Sequence, residues 1–197
     1  MFNIGDKVVY PMHGAGIIEG IEEKDVLGEK QNYYIIKMPG EVKVMVPTAK
    51  ATDVGVRDII DSNTASKVFK VLETNSTGVE MNWNKRYRDN MEKMKSGDIY
   101  EVADVVRDLS FKQKEKGLST SEKKMLLNAK QILVSELTLA ENSKKEDIEA
   151  IVNSKIDLSF MEYNKADIKG NVETTGKTMK KFISFDSVGG GISEDIG

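Results

Sequence analysis

The 197-residue sequence has no cysteine, a single histidine and no apolar run long enough to cross a membrane. Without thiols there can be no disulfide, thiolate metal site or cysteine nucleophile. His13, isolated in Pro11-Met12-His13-Gly14, has no second imidazole with which to hold a metal and reads as a turn or packing residue. The opening Met1-Phe2-Asn3-Ile4-Gly5-Asp6-Lys7 lacks the basic-then-apolar layout of a secretory signal, so the expected location is the cytoplasm. Carboxylates and lysines are dispersed along solvent-facing helix positions and build no catalytic constellation. The expectation is a protein that is not an enzyme and needs no cofactor, metal or small-molecule substrate. One near miss occurs at Gly170-Asn171-Val172-Glu173-Thr174-Thr175-Gly176-Lys177-Thr178, where a phosphate loop needs four residues between its glycines and this segment has five.

What is present is ordinary for a soluble globular chain: 39% apolar and 31% charged residues exclude wholesale disorder. The net charge of −3 conceals an asymmetry. Residues 1–81 carry nine Lys and Arg against twelve Asp and Glu, residues 82–130 carry twelve against eight, and residues 141–197 carry eight against eleven. One basic segment between two acidic ones suits a local anionic partner such as nucleic acid, and equally a solvated helical face.

The first fifty residues read as strands. Lys7-Val8-Val9-Tyr10, Ile17 to Ile21, Asn32 to Met38 and Val42 to Val46 are separated by Pro11, Gly14, Gly16, a loop at Asp25 to Gly28, and a Pro39-Gly40 pair suited to a type II turn. Four or five short strands in this length predict a small SH3-like or Tudor-like barrel. After Pro47 the period becomes helical. Thr64 to Leu72 would bury Val68 and Leu72, and Glu73 to Gly78 reads as a hinge or loop.

Three helices with clear end signals follow. Asn82 caps one striped by Trp83, Tyr87, Met91 and Met94. Asp98 caps the next, with Ile99, Val102, Val106 and Leu109 on one face and Gly117 as its stop. Ser119 and Glu122 form a capping box for the third, striped by Leu126, Ala129, Leu133 and Leu137. Ser143 with Glu146 would cap a short further helix carrying Ile148, Ile151 and Val152. Beyond it, Leu158 to Met161 and Phe182 to Phe185 are read as possible strands in an irregular tail that ends in Ser187-Val188-Gly189-Gly190-Gly191. The expected class is therefore α+β: a β-barrel over 1–52, an all-α domain over 53–155, and a tail over 156–197.

The most informative segment is Asn82-Trp83-Asn84-Lys85-Arg86-Tyr87-Arg88, which joins the only tryptophan to three cations. A flat ring beside phosphate-reaching cations can wedge into a distorted base step. Trp83 also fits the apolar stripe, and periodicity alone favours that alternative. Lys123 and Lys124 form a second cationic pair at a predicted helix N-terminus, where anions are favoured. Lys112, Lys114 and Lys116 crowd a helix C-terminus, where complementing the dipole is one reading and adding to a cationic surface is equally open.

The run Gly5-Asp6-Lys7-Val8-Val9-Tyr10-Pro11-Met12-His13-Gly14 resembles the opening of the CarD family, whose Tudor-like first module is shared with the transcription-repair coupling factor. The resemblance continues through Val44-Met45-Val46-Pro47, Asn82 to Tyr87, Ser96-Gly97-Asp98, Glu101 to Leu109 and Ala129 to Leu137, covering roughly residues 1–155. It implies a transcription regulator, acting at the nucleoid, whose front module pairs a strand edge with the RNA polymerase β subunit. The same resemblance implies that the helical module sits at the upstream fork of the promoter bubble and stabilises the open complex. It makes Trp83 the minor-groove wedge and Lys85, Arg86 and Arg88 its phosphate-gripping neighbours. Lys24, Tyr33, Val44 and Met45 fall at polymerase-contact positions, and relatives often carry Arg where this chain has Lys24 and Met45. The competing expectation is a protein-interaction adaptor whose helices dock another protein rather than DNA.

Overall fold

The computed structural model describes residues 1–26, 28–74 and 82–186, with residues 166–186 in backbone only. The chain divides into two units, Met1–Ser159 and Phe160–Gly197. The first begins with β1 (Lys7–Tyr10), β2 (Gly14–Val26), β3 (Glu29–Lys37), β4 (Lys43–Pro47) and β5 (Arg57–Asp58). These form one antiparallel sheet in the order β4-β3-β2-β1-β5. The expected front β module is therefore present, and its fifth strand lies past residue 52.

Alternation places Val8, Ile18, Tyr34, Ile36 and Val46 on the inner face, where they pack with Met38, Ala51 and Val56. A register shift between Ile18 and Gly20 marks a bulge in β2. The Pro39-Gly40 turn has the anticipated positive φ at Gly40, 80°, and closes with Met38 N–H donating to the Val42 carbonyl at 2.8 Å. Of the segment read as a loop at Asp25 to Gly28, Asp25 and Val26 belong to β2, which pairs with β3 as a ribbon as far as Val26 and Glu29.

Helices α1 (Ser62–Glu73), α2 (Trp83–Ser96), α3 (Ile99–Glu115) and α4 (Thr120–Glu141) follow, each entered through a side-chain cap. Asp61 accepts from Thr64 N–H, Asn82 from Lys85 N–H and Asp98 from Tyr100 N–H, while Ser119 and Glu122 make the full reciprocal box. Val68, Leu72, Met94, Val102, Val106, Leu109, Leu133 and Leu137 are buried together. The hinge expected at Glu73 to Gly78 falls largely on residues 75–78, outside the described residues.

Two expectations are corrected. The short helix at Ser143 is instead α5 (Lys145–Asp186), 42 residues long and beginning after Lys144. The runs Leu158 to Met161 and Phe182 to Phe185 belong to this helix and not to strands, as does the phosphate-loop-like segment at Gly170. Among the residues whose side chains are described, Ile148, Val152, Ile156 and Ser159 are its buried positions, at helical spacing, and no proline follows Pro47 to interrupt it. Ile151, expected on that stripe, is exposed. The irregular tail is thus helical as far as residue 186, and Ser187 to Gly191 lie outside the described residues.

Sheet and helices are joined by directed bonds. Arg57 grips buried Glu136 through two parallel bonds, Nη1 to Oε1 at 2.7 Å and Nη2 to Oε2 at 3.0 Å, and also donates to the Gly97 carbonyl. Ile60 N–H donates to the same carboxylate at 3.1 Å. Ala15 N–H donates to Ser135 Oγ at 2.8 Å, and Lys7 Nζ reaches the Leu139 carbonyl at 2.9 Å. Gly14 permits this approach: its φ is +98°, and an added Cβ would lie 2.6 Å from Ser135 Oγ.

Candidate nucleic-acid interface

Helix α2 starts at Trp83 because Asn82 satisfies the Lys85 N–H at 3.1 Å, which leaves the indole at the very end of the helix. Trp83 is 43% exposed, so it is not buried in the core as its stripe suggested. The buried side of α2 is instead Arg86, Asn90 and Met94, one position round from Trp83, Tyr87 and Met91. The indole stacks on Tyr87 with centroids 5.6 Å apart and planes at 24°. Its Nε1–H donates to Ser119 Oγ at 3.3 Å, across to the cap of α4.

The cations around the ring separate into two sets. Arg86 departs from the expected phosphate-gripping role: its side chain turns inward and donates to Glu122 Oε1 from Nε at 2.8 Å and Nη2 at 2.6 Å. Lys112 Nζ completes the cage at 3.0 and 2.9 Å from the two Glu122 oxygens, which is more than dipole complementation. Lys85, Arg88, Lys123 and Lys124 all remain exposed, and the last three have no side-chain partner among the described residues. Trp83 and the α4 cap, 36 residues apart in the sequence, are brought together by the Ser119 bond. Lys85 and Arg88 follow Trp83 on α2, and Lys123 and Lys124 follow Ser119 on α4.

Glu122 is the electrostatic centre beneath this surface, 1% exposed. Burial alone would push its carboxyl up, but hydrogen bonds from Lys112, the Ser119 backbone, Arg86 and the Ser119 hydroxyl bring it down to about 2. It accepts from Ser119 N–H at 3.0 Å and from Ser119 Oγ–H at 2.9 Å, while its own N–H donates to Ser119 Oγ at 3.3 Å. Sequence reasoning found Glu122 only as a capping residue. The inward stripe Arg86, Asn90 and Met94 at four-residue spacing is the signal that could have revealed Arg86 as buried.

At the sheet, β4 is an end strand. Cross-strand pairs share a face and faces alternate along each strand, so Met45 (opposite Ile35), Tyr33 (opposite Glu22 and Pro47) and Lys24 (opposite Gln31) lie on one side. Val44, opposite Ile36, lies on the other and packs against the core. Met45 is 56% exposed, and Lys24 pairs with Glu22 at 2.6 Å. Among the described residues no helix is long and apolar enough to cross a membrane.

The family model described as "CarD-like/TRCF RID domain" matches residues 2–60, and that described as "CarD, C-terminal domain" matches residues 67–153. The chain belongs to the CarD family. A Bacillus subtilis (strain 168) protein described as "Putative transcription factor YdeB" is 44% identical over 151 residues, covering 76% of this chain and 99% of the relative. As a member of the CarD family the chain is a transcription regulator, and the α+β architecture read from the sequence is that of the two matched modules.

Proposed function

We propose that this CarD-family protein holds the promoter open complex by binding the RNA polymerase β subunit with its front module and the upstream fork of the bubble with its helical module. It would act in the cytoplasm, at the nucleoid. The DNA-facing surface is Trp83 with Lys85, Arg88, Lys123 and Lys124. The observation that carries this reading is the exposed indole at the start of α2, bracketed by Tyr87 and Ser119, with Lys85 and Arg88 exposed on the same helix and Lys123 and Lys124 exposed near the start of α4. An exposed ring can enter a base step that a buried one cannot, and phosphate contacts offset an unstacking cost of a few kcal/mol. The polymerase-facing surface is the β4 edge with Met45, Tyr33 and Lys24, and Val44 supports it from beneath. An end strand offers unpaired backbone groups to which a strand of a partner can add.

The test is the lifetime of open complexes formed by RNA polymerase holoenzyme with the full chain or its Trp83→Ala variant. The expected result is a shorter lifetime for the variant at unchanged thermal stability. A salt titration of binding to forked promoter DNA accompanies it, because phosphate-driven binding weakens steeply with salt. Equal lifetimes with negligible fork affinity at every salt concentration would favour the adaptor reading instead.

A further inference from the structure

We infer that Ser119 is the positioning residue for Trp83, holding the indole in its DNA-facing orientation through a hydroxyl whose hydrogen-bonding capacity is fully committed. A serine hydroxyl has one proton and two acceptor sites. Here the proton goes to Glu122 Oε2 at 2.9 Å, and the acceptor sites take Glu122 N–H at 3.3 Å and Trp83 Nε1–H at 3.3 Å. Rotating the hydroxyl to suit another partner would break the Glu122 bond, so the acceptor direction that Trp83 meets is fixed.

The fixing extends further down. Glu122 is itself held by Arg86 from α2 and Lys112 from α3, so three helices converge on the carboxylate that sets the Ser119 rotor. On its face the indole is bounded by Tyr87, and on its N–H edge by Ser119. A ring with only the stack would retain freedom to swing. With both contacts it meets DNA already ordered, and less conformational entropy is lost on binding. The consequence for promoter complexes rests on the DNA-wedge reading, whereas the orientation of the ring does not.

Trp83 is the only tryptophan, so fluorescence of the full chain excited beyond the tyrosine absorption band reports this ring alone. Ser119→Gly removes the hydroxyl while keeping a residue that helix N-caps tolerate well. Its expected effects are lower Trp83 anisotropy well below the melting temperature and an open-complex lifetime shortened about two- to threefold, the low end for one net hydrogen bond. Ser119→Thr should restore both. Trp83→Phe keeps a flat ring without the N–H and should show the same loss of lifetime, with no further loss when Ser119→Gly is added. Unchanged anisotropy in Ser119→Gly overturns the inference, as does an equal loss of lifetime in the Trp83→Phe background, which would mark a capping effect alone. If Ser119→Gly does not fold, a wild-type lifetime for Trp83→Phe overturns it. Should Trp83→Ala leave the lifetime unchanged, the wedge reading fails while the anisotropy comparison still decides whether Ser119 orients the ring.

Discussion

Arg86 and Glu122 form a buried ion pair between α2 and α4, with both Nε and Nη2 of the guanidinium on the same carboxylate oxygen. Arg86 stands between Lys85 and Arg88 in a cationic run, yet it serves the interior while Arg88 remains in solvent. Replacing each with alanine should therefore give opposite signatures. Arg86→Ala leaves Glu122 with Lys112 as its remaining cation and should cost about 2–4 kcal/mol of stability, somewhat below a fully orphaned buried charge. Arg88→Ala should leave the melting midpoint within experimental error and reduce the salt slope of fork binding by about one unit. Chemical denaturation alongside a salt titration separates them. A normal midpoint for Arg86→Ala would be incompatible with the buried pair.

The same carboxylate makes stability depend on acid. Glu122 is held at about 2 in the folded chain against an ordinary 4.5, so the folded state favours the charged form. Its stabilisation is fully present above about pH 4.5, declines as pH falls toward 2 and vanishes below both values. The expected size is about 3 kcal/mol. Glu122→Gln cannot titrate, so the stability difference between wild type and variant should shrink by roughly that amount between pH 6 and pH 2. Urea midpoints measured across this range provide the check, and a difference independent of pH would contradict it.

Arg57 and Glu136 should be unequal in what their removal costs. Glu136 has no solvent exposure, whereas the Arg57 side chain is about one-third exposed. Arg57→Ala strands a buried carboxylate that, among the described residues, keeps only the Ile60 N–H, and about 3–5 kcal/mol is expected for breaking such a pair. In Glu136→Gln the guanidinium retains the Gly97 carbonyl and water, so the loss should be smaller. Thermal melts of the two variants rank them, and the reverse order would mean that the sheet–helix junction is held elsewhere.

How much of this was legible in the sequence depends on whether the deciding contact is local. Strand alternation at Val8, Ile18, Tyr34 and Val46, and caps at Asn82, Asp98 and Ser119, are written within a few residues of where they act. The length of α5 was missed because Leu158 to Met161 and Phe182 to Phe185 look like strands when read as short windows. Ile148, Val152 and Ile156 carry the helical spacing across a wider one. At the candidate site, Trp83 and its neighbouring cations stood out, but the choice of Arg86 as the inward cation depends on Glu122, 36 residues away. The four-residue spacing of Arg86, Asn90 and Met94 marks the inward side of α2, but no local pattern names the distant carboxylate that Arg86 meets there. The Ser119 hydroxyl was visible as a cap, and its bond to Trp83 was not, for the same reason.

The β4 edge gives the sharpest test of the polymerase surface, because neighbouring residues on that strand face opposite ways. Val44 packs against the core with Ile36 opposite, so Val44→Glu would bury a charge and unfold the sheet, and any lost binding would be uninformative. Met45 points outward from the next position and is more than half exposed. Met45→Glu should therefore keep stability within about 0.5 kcal/mol, as surface substitutions usually do. If Met45, Tyr33 and Lys24 meet the β subunit, the added negative charge should weaken polymerase capture several-fold. Fork-DNA affinity measured without polymerase should stay unchanged, since Trp83 and its cations belong to the helices. Pull-down of holoenzyme by immobilised protein, alongside fork binding by the same variant, reads both effects. Wild-type capture by Met45→Glu would move the polymerase contact off this face of the sheet.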